Sequence, residues 1–224
     1  MQKGGGLAAI FCAVLIALEA VITSVMDQPF GLRDAAELGI TTGTAGSLFA
    51  SDTLRIILGV FLLVMIVAVS ARSGARTRAK GQTNWVSVVG VVSAVLVCVS
   101  GIISVLTLVA IFDSQSTGSS QASNGLFISL AQFLFALALF LLAVWQLLLG
   151  LNSLLNRSFP GLVSLLGIGS VVLTLVSVVM PDLQSFALIV NLIWLVSIGL
   201  VMIATPENIV PASPRLLTAP RNES

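Results

Sequence analysis

Apolar residues in this chain come in long runs rather than at intervals. Residues 7–26, 53–71, 85–112, 125–151, 160–180 and 184–204 are each almost wholly apolar, separated by stretches rich in Gly, Ser, Asp or Arg. Neither the alternation of a half-buried strand nor the single stripe of a surface helix is present, so each run predicts a helix that is apolar all round. A membrane-spanning helix needs about 20 such residues, and all six runs qualify. No Asp, Glu, Lys or Arg occurs at 81–112 or at 114–156. The expected fold is therefore all-α: a polytopic membrane protein of six transmembrane helices forming one compact bundle over residues 1–205.

The connections fit that layout. Residues 27–51 make the longest loop, with a short amphipathic helix predicted at "RDAAELG". "ARSGARTRAKGQTN" joins the second and third helices, and "DSQSTGSSQASN" has the Gly/Ser-rich composition of a flexible linker. "NSLLNRSF" leads into Pro160, a residue suited to the first turn of the fifth helix. "PDLQ" is short enough to make the fifth and sixth helices antiparallel neighbours. Residues 206–224 hold four of the seven prolines and are predicted to be a disordered tail.

Composition removes the soluble alternative. The chain of 224 residues is 57% hydrophobic and 8% charged, with a mean hydropathy of +1.12. Soluble domains carry about 25% charged residues, enough polar surface to face water, and this chain does not. Net charge of +1 leaves no excess of basic residues to neutralise phosphates, so nucleic acid is not an expected partner. With six spans, Lys3, Arg72, Arg76, Arg78, Lys80, Arg157, Arg215 and Arg221 share one side, and only Arg33 and Arg55 lie on the other. The positive-inside rule then places both termini in the cytoplasm. A cleaved signal peptide in place of the first span would need a shorter apolar run, and "ALEA" fits a small-x-small cleavage site poorly.

Candidate chemistry is sparse. The chain has no histidine, which excludes His-ligated haem or metal and Ser–His catalysis. Cys12 and Cys98 fall inside apolar runs and read as small buried hydrophobes rather than a disulfide pair. No Walker A, G-x-S-x-G, H-E-x-x-H or dinucleotide fingerprint occurs, so neither an enzyme nor a cofactor is expected.

Polar side chains inside the apolar runs are the remaining signal, because such groups face protein or water rather than lipid. Glu19 lies seven residues from the outer end of the first run, about 10 Å deep at 1.5 Å per residue. Gln132 and Asn191 lie at similar depth in the fourth and sixth helices, and Arg55 stands at the outer end of the second. Together they define a candidate polar pocket or helix clamp. In one reading Glu19, the only acid within a run, is the coupling group of a carrier or exporter. In another, Glu19 and Arg55 form an ion pair clamping the first two helices, with the amides as interhelical bonds. In a third, Arg55 pairs locally with Asp52. On the cytoplasmic side Arg72, Arg76, Arg78 and Lys80 form a basic loop that sets topology or attracts anionic headgroups.

Small polar residues also recur along single faces. Gly167, Ser170, Thr174 and Ser177 line the fifth helix, and Ser93, Ser100, Ser104 and Thr107 the third; packing is the expected role. Trp85 belongs at an interface, whereas Trp145 and Trp194 lie deeper as packing or lipid-facing bulk.

Three stretches carry a resemblance: "GGLAAIFCAVLIALEAVI", "SDTLRIILGVFLLVMIVAV" and "LFLLAVWQLLLGLNSLLNRSFPGLVSLLGIGSVVLTLV". With Gly150, Leu151, Arg157, Pro160 and Gly167 in the last of them, the chain resembles an uncharacterised family of bacterial and archaeal six-span membrane proteins. The resemblance implies the same fold and a prokaryotic plasma membrane, and supplies no activity. The expected function is a non-enzymatic membrane protein in contact with the lipid bilayer. It would serve as an accessory subunit beside other membrane-protein subunits, or as a small lipid- or hydrophobe-interacting bundle. A small secondary transporter built on Glu19, with its small-molecule substrate unspecified, is the alternative.

Overall fold

The computed structural model describes residues 2–25, 42–76, 85–117, 122–156 and 158–205. The regular elements among them are helical: α1 (Gln2–Val25), α2 (Thr42–Arg76), α3 (Trp85–Thr117), α4 (Ala122–Asn156), α5 (Gly161–Val179) and α6 (Gln184–Ala204), with a single 3-10 turn at Pro181–Leu183. Among the described residues, five helices are long and apolar enough to cross a membrane: α1, α2, α3, α4 and α6. These are consistent with an integral membrane protein. The sixth, α5, is apolar over Gly161–Ser177 and shorter. Its 19 residues span about 28 Å, close to the thickness of a hydrocarbon core.

Three helices outrun their apolar windows. α2 begins at Thr42 rather than near residue 53, α3 runs to Thr117, and α4 starts at Ala122. Once a helix is nucleated, each further residue adds a backbone hydrogen bond, and no proline interrupts these extensions. Most of the expected flexible linker is therefore helix, leaving only residues 118–121 of it outside the described residues. The "RDAAELG" segment and the tail from Pro206 also lie outside them.

The helices pack as a closed ring in chain order. α1 contacts α2, α2 contacts α3, and so on to α6, which returns to α1. Adjacent helices run antiparallel wherever two contacts fix the register. Gly5 faces Ala68 while Glu19 meets Arg55, and Gly59 faces Cys98 while Ser104 meets Asp52. The start of α1 and the end of α6 share one end of the bundle, because Gly5 faces Met202 and Gly6 faces Gly199. Closure there depends on missing side chains: a Cβ on either Gly6 or Gly199 would sit 2.7 Å from the other's carbonyl oxygen.

Two tryptophans fill the centre. Trp145 of α4 and Trp194 of α6 meet edge to face, with ring centroids 6.2 Å apart and planes at 73°. Gly90 makes room for the first indole and Gly167 for the second. Met65, Ile66, Val97 and Ile198 belong to the same core, all buried. Both deep tryptophans are thus packing residues, and Trp85, 72% exposed, stands at the start of α3.

The α4–α5 turn is stitched by hydroxyls. Ser153 Oγ accepts from the Phe159 N–H at 3.0 Å and from the Ser164 hydroxyl at 2.8 Å. Pro160 caps α5 from just outside it, its carbonyl accepting from the N–H of Val163 and of Ser164. The Met180 carbonyl accepts from the Leu183 N–H in the turn that reverses the chain into α6.

Candidate functional site

The four residues singled out by depth do not form one pocket. Glu19 and Arg55 do meet. Arg55 Nε lies 2.9 Å from Glu19 Oε1, and Arg55 Nη1 lies 3.2 Å from Asp52 Oδ1. The clamp and the local pair are therefore both made, by different nitrogens of one guanidinium. The planar fork of arginine allows this, where a lysine ammonium would present a single point charge.

Further bonds tie in α3 and α4. The Ser104 hydroxyl donates to Asp52 Oδ2 at 2.5 Å, and the Ser51 hydroxyl donates to Glu19 Oε1 at 3.4 Å. The Arg55 guanidinium carbon lies 4.4 Å from the centre of the Phe135 ring, a cation–π distance. One side chain on each of α1, α3 and α4 thus converges on Ser51, Asp52 and Arg55 of α2. Glu19 is 4% and Asp52 5% exposed, so both carboxylates are in protein rather than in water or lipid. Bonds between charged donors and acceptors in such surroundings are shorter and stronger than neutral ones.

Asp52 corrects the expectation that Glu19 is the only carboxylate within a span. Because α2 starts at Thr42, Asp52 lies well inside the helix and inside the apolar window Phe49–Ser73. A sequence window centred on the apolar run placed it at the helix start, where solvent would reach it.

Asn191 does not share the level of Glu19. Gly6 packs on Gly199, and Glu19 is 13 residues from Gly6 while Asn191 is eight from Gly199, so Asn191 lies about 7–8 Å deeper, in a second polar cluster. Gln146 Nε2 donates to Ser170 Oγ and, at 3.4 Å, to Asn191 Oδ1, joining α4, α5 and α6. The Ser170 hydroxyl in turn donates to the Gly167 carbonyl at 2.9 Å. Gln146 is 4% exposed. Its signal was present in the sequence: an amide within the tract 114–156, next to a tryptophan. Gln132 joins neither cluster. It is half-buried on the outward side of α4, and its carboxamide has no hydrogen-bond partner among the described residues.

The basic loop also divides. Arg72 is a helical residue of α2, its Nη1 3.4 Å from the Val201 carbonyl and its guanidinium carbon 4.9 Å from the Phe159 ring centre. It binds the end of α6 and the α4–α5 turn rather than lying free in a loop. Arg76 is the last residue of α2, and Arg78 and Lys80 lie outside the described residues.

Chemically, these arrangements hold helices together. A shallow indentation lies between Leu149, Ser153, Phe159, Val163, Trp194 and Ile198, at the end of the bundle opposite Glu19. Among the described residues no three metal-ligating side chains come together. Comparison with protein families, with curated proteins and with solved structures found no match to this chain.

Proposed function

We propose that this chain is a non-enzymatic integral membrane protein of the prokaryotic plasma membrane, with six spans and both termini cytoplasmic. It acts as an accessory subunit, a firmly tied bundle whose apolar exterior contacts lipid and other membrane subunits. Six spans and the shared side of the termini are supported by the apolar length of α5 and by the packing of Gly6 against Gly199. The distribution of Lys and Arg supports the cytoplasmic side.

One observation carries the functional choice. Glu19 is buried and bonded to Arg55 and Ser51, and its cluster ties four consecutive helices. A coupling carboxylate must meet water from alternating sides while parts of the bundle rock about it. Bonds across α1, α2, α3 and α4 at one level oppose that motion. The second reading, a small proton-coupled exporter, draws on the two carboxylates that share Arg55.

Reconstitution separates the two. Proteoliposomes carrying the wild-type chain and an internal pH dye are expected to show the same proton flux as those carrying Glu19→Gln. A substrate-dependent flux present in the wild type and lost in Glu19→Gln would overturn the accessory reading.

A further inference from the structure

The two central indoles differ in what their nitrogens face. The Trp145 N–H is sealed in protein without an acceptor. The Trp194 N–H also has no acceptor among the described residues, yet it is not sealed, although the residue is only 3% exposed. Its nitrogen lies against Gly167, where a Cβ would stand 2.6 Å away. Ser164, one turn back along α5, lines the indentation between α4, α5 and α6 that Trp194 also lines. The free N–H therefore borders that space.

The indentation is walled by buried residues. Leu149, Val163 and Ile198 are its apolar sides, and Ser153, Ser164 and Trp194 supply its polar atoms; none of the six is more than 5% exposed. It leaves about 10 Å³, close to the least that admits one water. No ionisable side chain lines it, so a charged guest would have no counter-charge there. Donors without acceptors surround it. Ser153 Oγ accepts from the Phe159 N–H and the Ser164 hydroxyl, which uses both of its lone pairs. Its own proton has no acceptor among the described residues. The Ser164 hydroxyl takes the 2.8 Å bond to Ser153 over a 3.5 Å approach to the Pro160 carbonyl, and its oxygen keeps lone pairs to accept with.

A guest that satisfies this lining accepts twice and donates once. An ammonium group cannot accept, a carbonyl cannot donate and an alkyl group does neither. We infer that the indentation binds one water molecule, which accepts from Trp194 and Ser153 and donates to Ser164. It joins α6, α4 and α5 about two turns along α4 from Gln146. The short helix α5 is then held at its middle by the amide of Gln146 and at its inner end through solvent. Water bound in this way is part of the packed structure, because its removal strands two donors. The inference rests on the packing of α4, α5 and α6 and is independent of the accessory role, so a positive flux assay would leave it standing.

Indole N–H resonances of the full-length chain in detergent micelles test it, with nitrogen-labelled tryptophan and assignment by Trp85→Phe, Trp145→Phe and Trp194→Phe. Trp194 is expected to show a rotating-frame cross-peak to water of cross-relaxation sign, the mark of a resident molecule, and Trp145 none. Val163→Ile adds a methyl to the wall. It is expected to abolish the Trp194 cross-peak and to lower the unfolding temperature, because it displaces the water and leaves the donors unpaired. The wild-type spectrum decides even where that variant is too unstable to purify. A Trp194 resonance with no water cross-peak, or with one of exchange sign alone, would overturn the inference. So would a raised unfolding temperature for Val163→Ile, the result of filling a dry void.

Discussion

Arg55 reaches Glu19 through Nε and Asp52 through Nη1, at 2.9 and 3.2 Å, so one guanidinium bridges two helices and braces its own. The two carboxylates are nearly inaccessible, and the arginine side chain is 21% exposed. Geometry of this kind depends on the shape of the cation as well as on its charge.

Arg55→Lys is therefore expected to destabilise the bundle although the charge is kept. An ammonium cannot serve both carboxylates as a fork and loses the stacking on Phe135. A loss of about 1–2 kcal/mol is expected from two weakened charged hydrogen bonds. Thermal unfolding in mild detergent measures it, and a shift within error would show that the fork geometry does not matter.

Ring closure is tested at the α1–α6 contact. Gly199→Ala puts a methyl 2.7 Å from a backbone oxygen that cannot swing away, whereas a side chain on Gly4 meets nothing within 4 Å. Overpacking of this sort costs about 1–3 kcal/mol. Gly199→Ala should lower the unfolding temperature and Gly4→Ala should not. Equal effects would place the closure elsewhere.

At the centre, the Trp145 indole N–H has no acceptor among the described residues, and the ring is fully buried. Trp145→Phe removes that donor, relieving about 1–3 kcal/mol, while the smaller ring opens a void that costs a similar amount. Its stability should stay close to wild type. Trp145→Ala should lose about 3–5 kcal/mol. Denaturant unfolding followed by the fluorescence of the two remaining tryptophans distinguishes them, and a large loss for Trp145→Phe would mean that the N–H is bonded.

The two glutamines of α4 should differ. Gln146→Leu breaks the link to Ser170 and Asn191 and should cost about 1 kcal/mol of bundle stability. Gln132→Leu removes no bond within the chain and should leave monomer stability unchanged. Chemical unfolding of monodisperse protein checks both, and reversed sensitivities would contradict the two placements.

The contrast between those glutamines marks what could be read from sequence. Helix number and approximate bounds were legible because lipid imposes a length and an all-round apolarity that few other settings demand. Depth was legible where two helices end level, as for α1 and α2, and there it paired Glu19 with Arg55. Depth carries no information about azimuth. Gln132 lies near the level of Glu19 and faces outward. Asn191 was misjudged in depth itself, because counting from the end of each run assumes that all runs end at one level, and the packed α6 puts Asn191 beside Gln146 instead. Asp52 was misplaced for a different reason: helices extend cooperatively beyond their apolar windows, as α2 does to Thr42. The tryptophan seats at Gly90 and Gly167 depend on which helices are neighbours, and only the packed ring specifies that.

A double-mutant cycle on Glu19 and Arg55 bears most directly on the claim that the acid is a clamp. Glu19→Gln, Arg55→Leu and the double variant would be unfolded in detergent beside the wild type. Arg55→Leu should be the most damaging single change, because it strands Glu19 and Asp52 together without a cation. The double variant should be less damaged than the sum of the singles, with a coupling of about 1–2 kcal/mol. Additive effects would mean that the 2.9 Å contact does not hold α1 to α2, and Glu19 would then need another role.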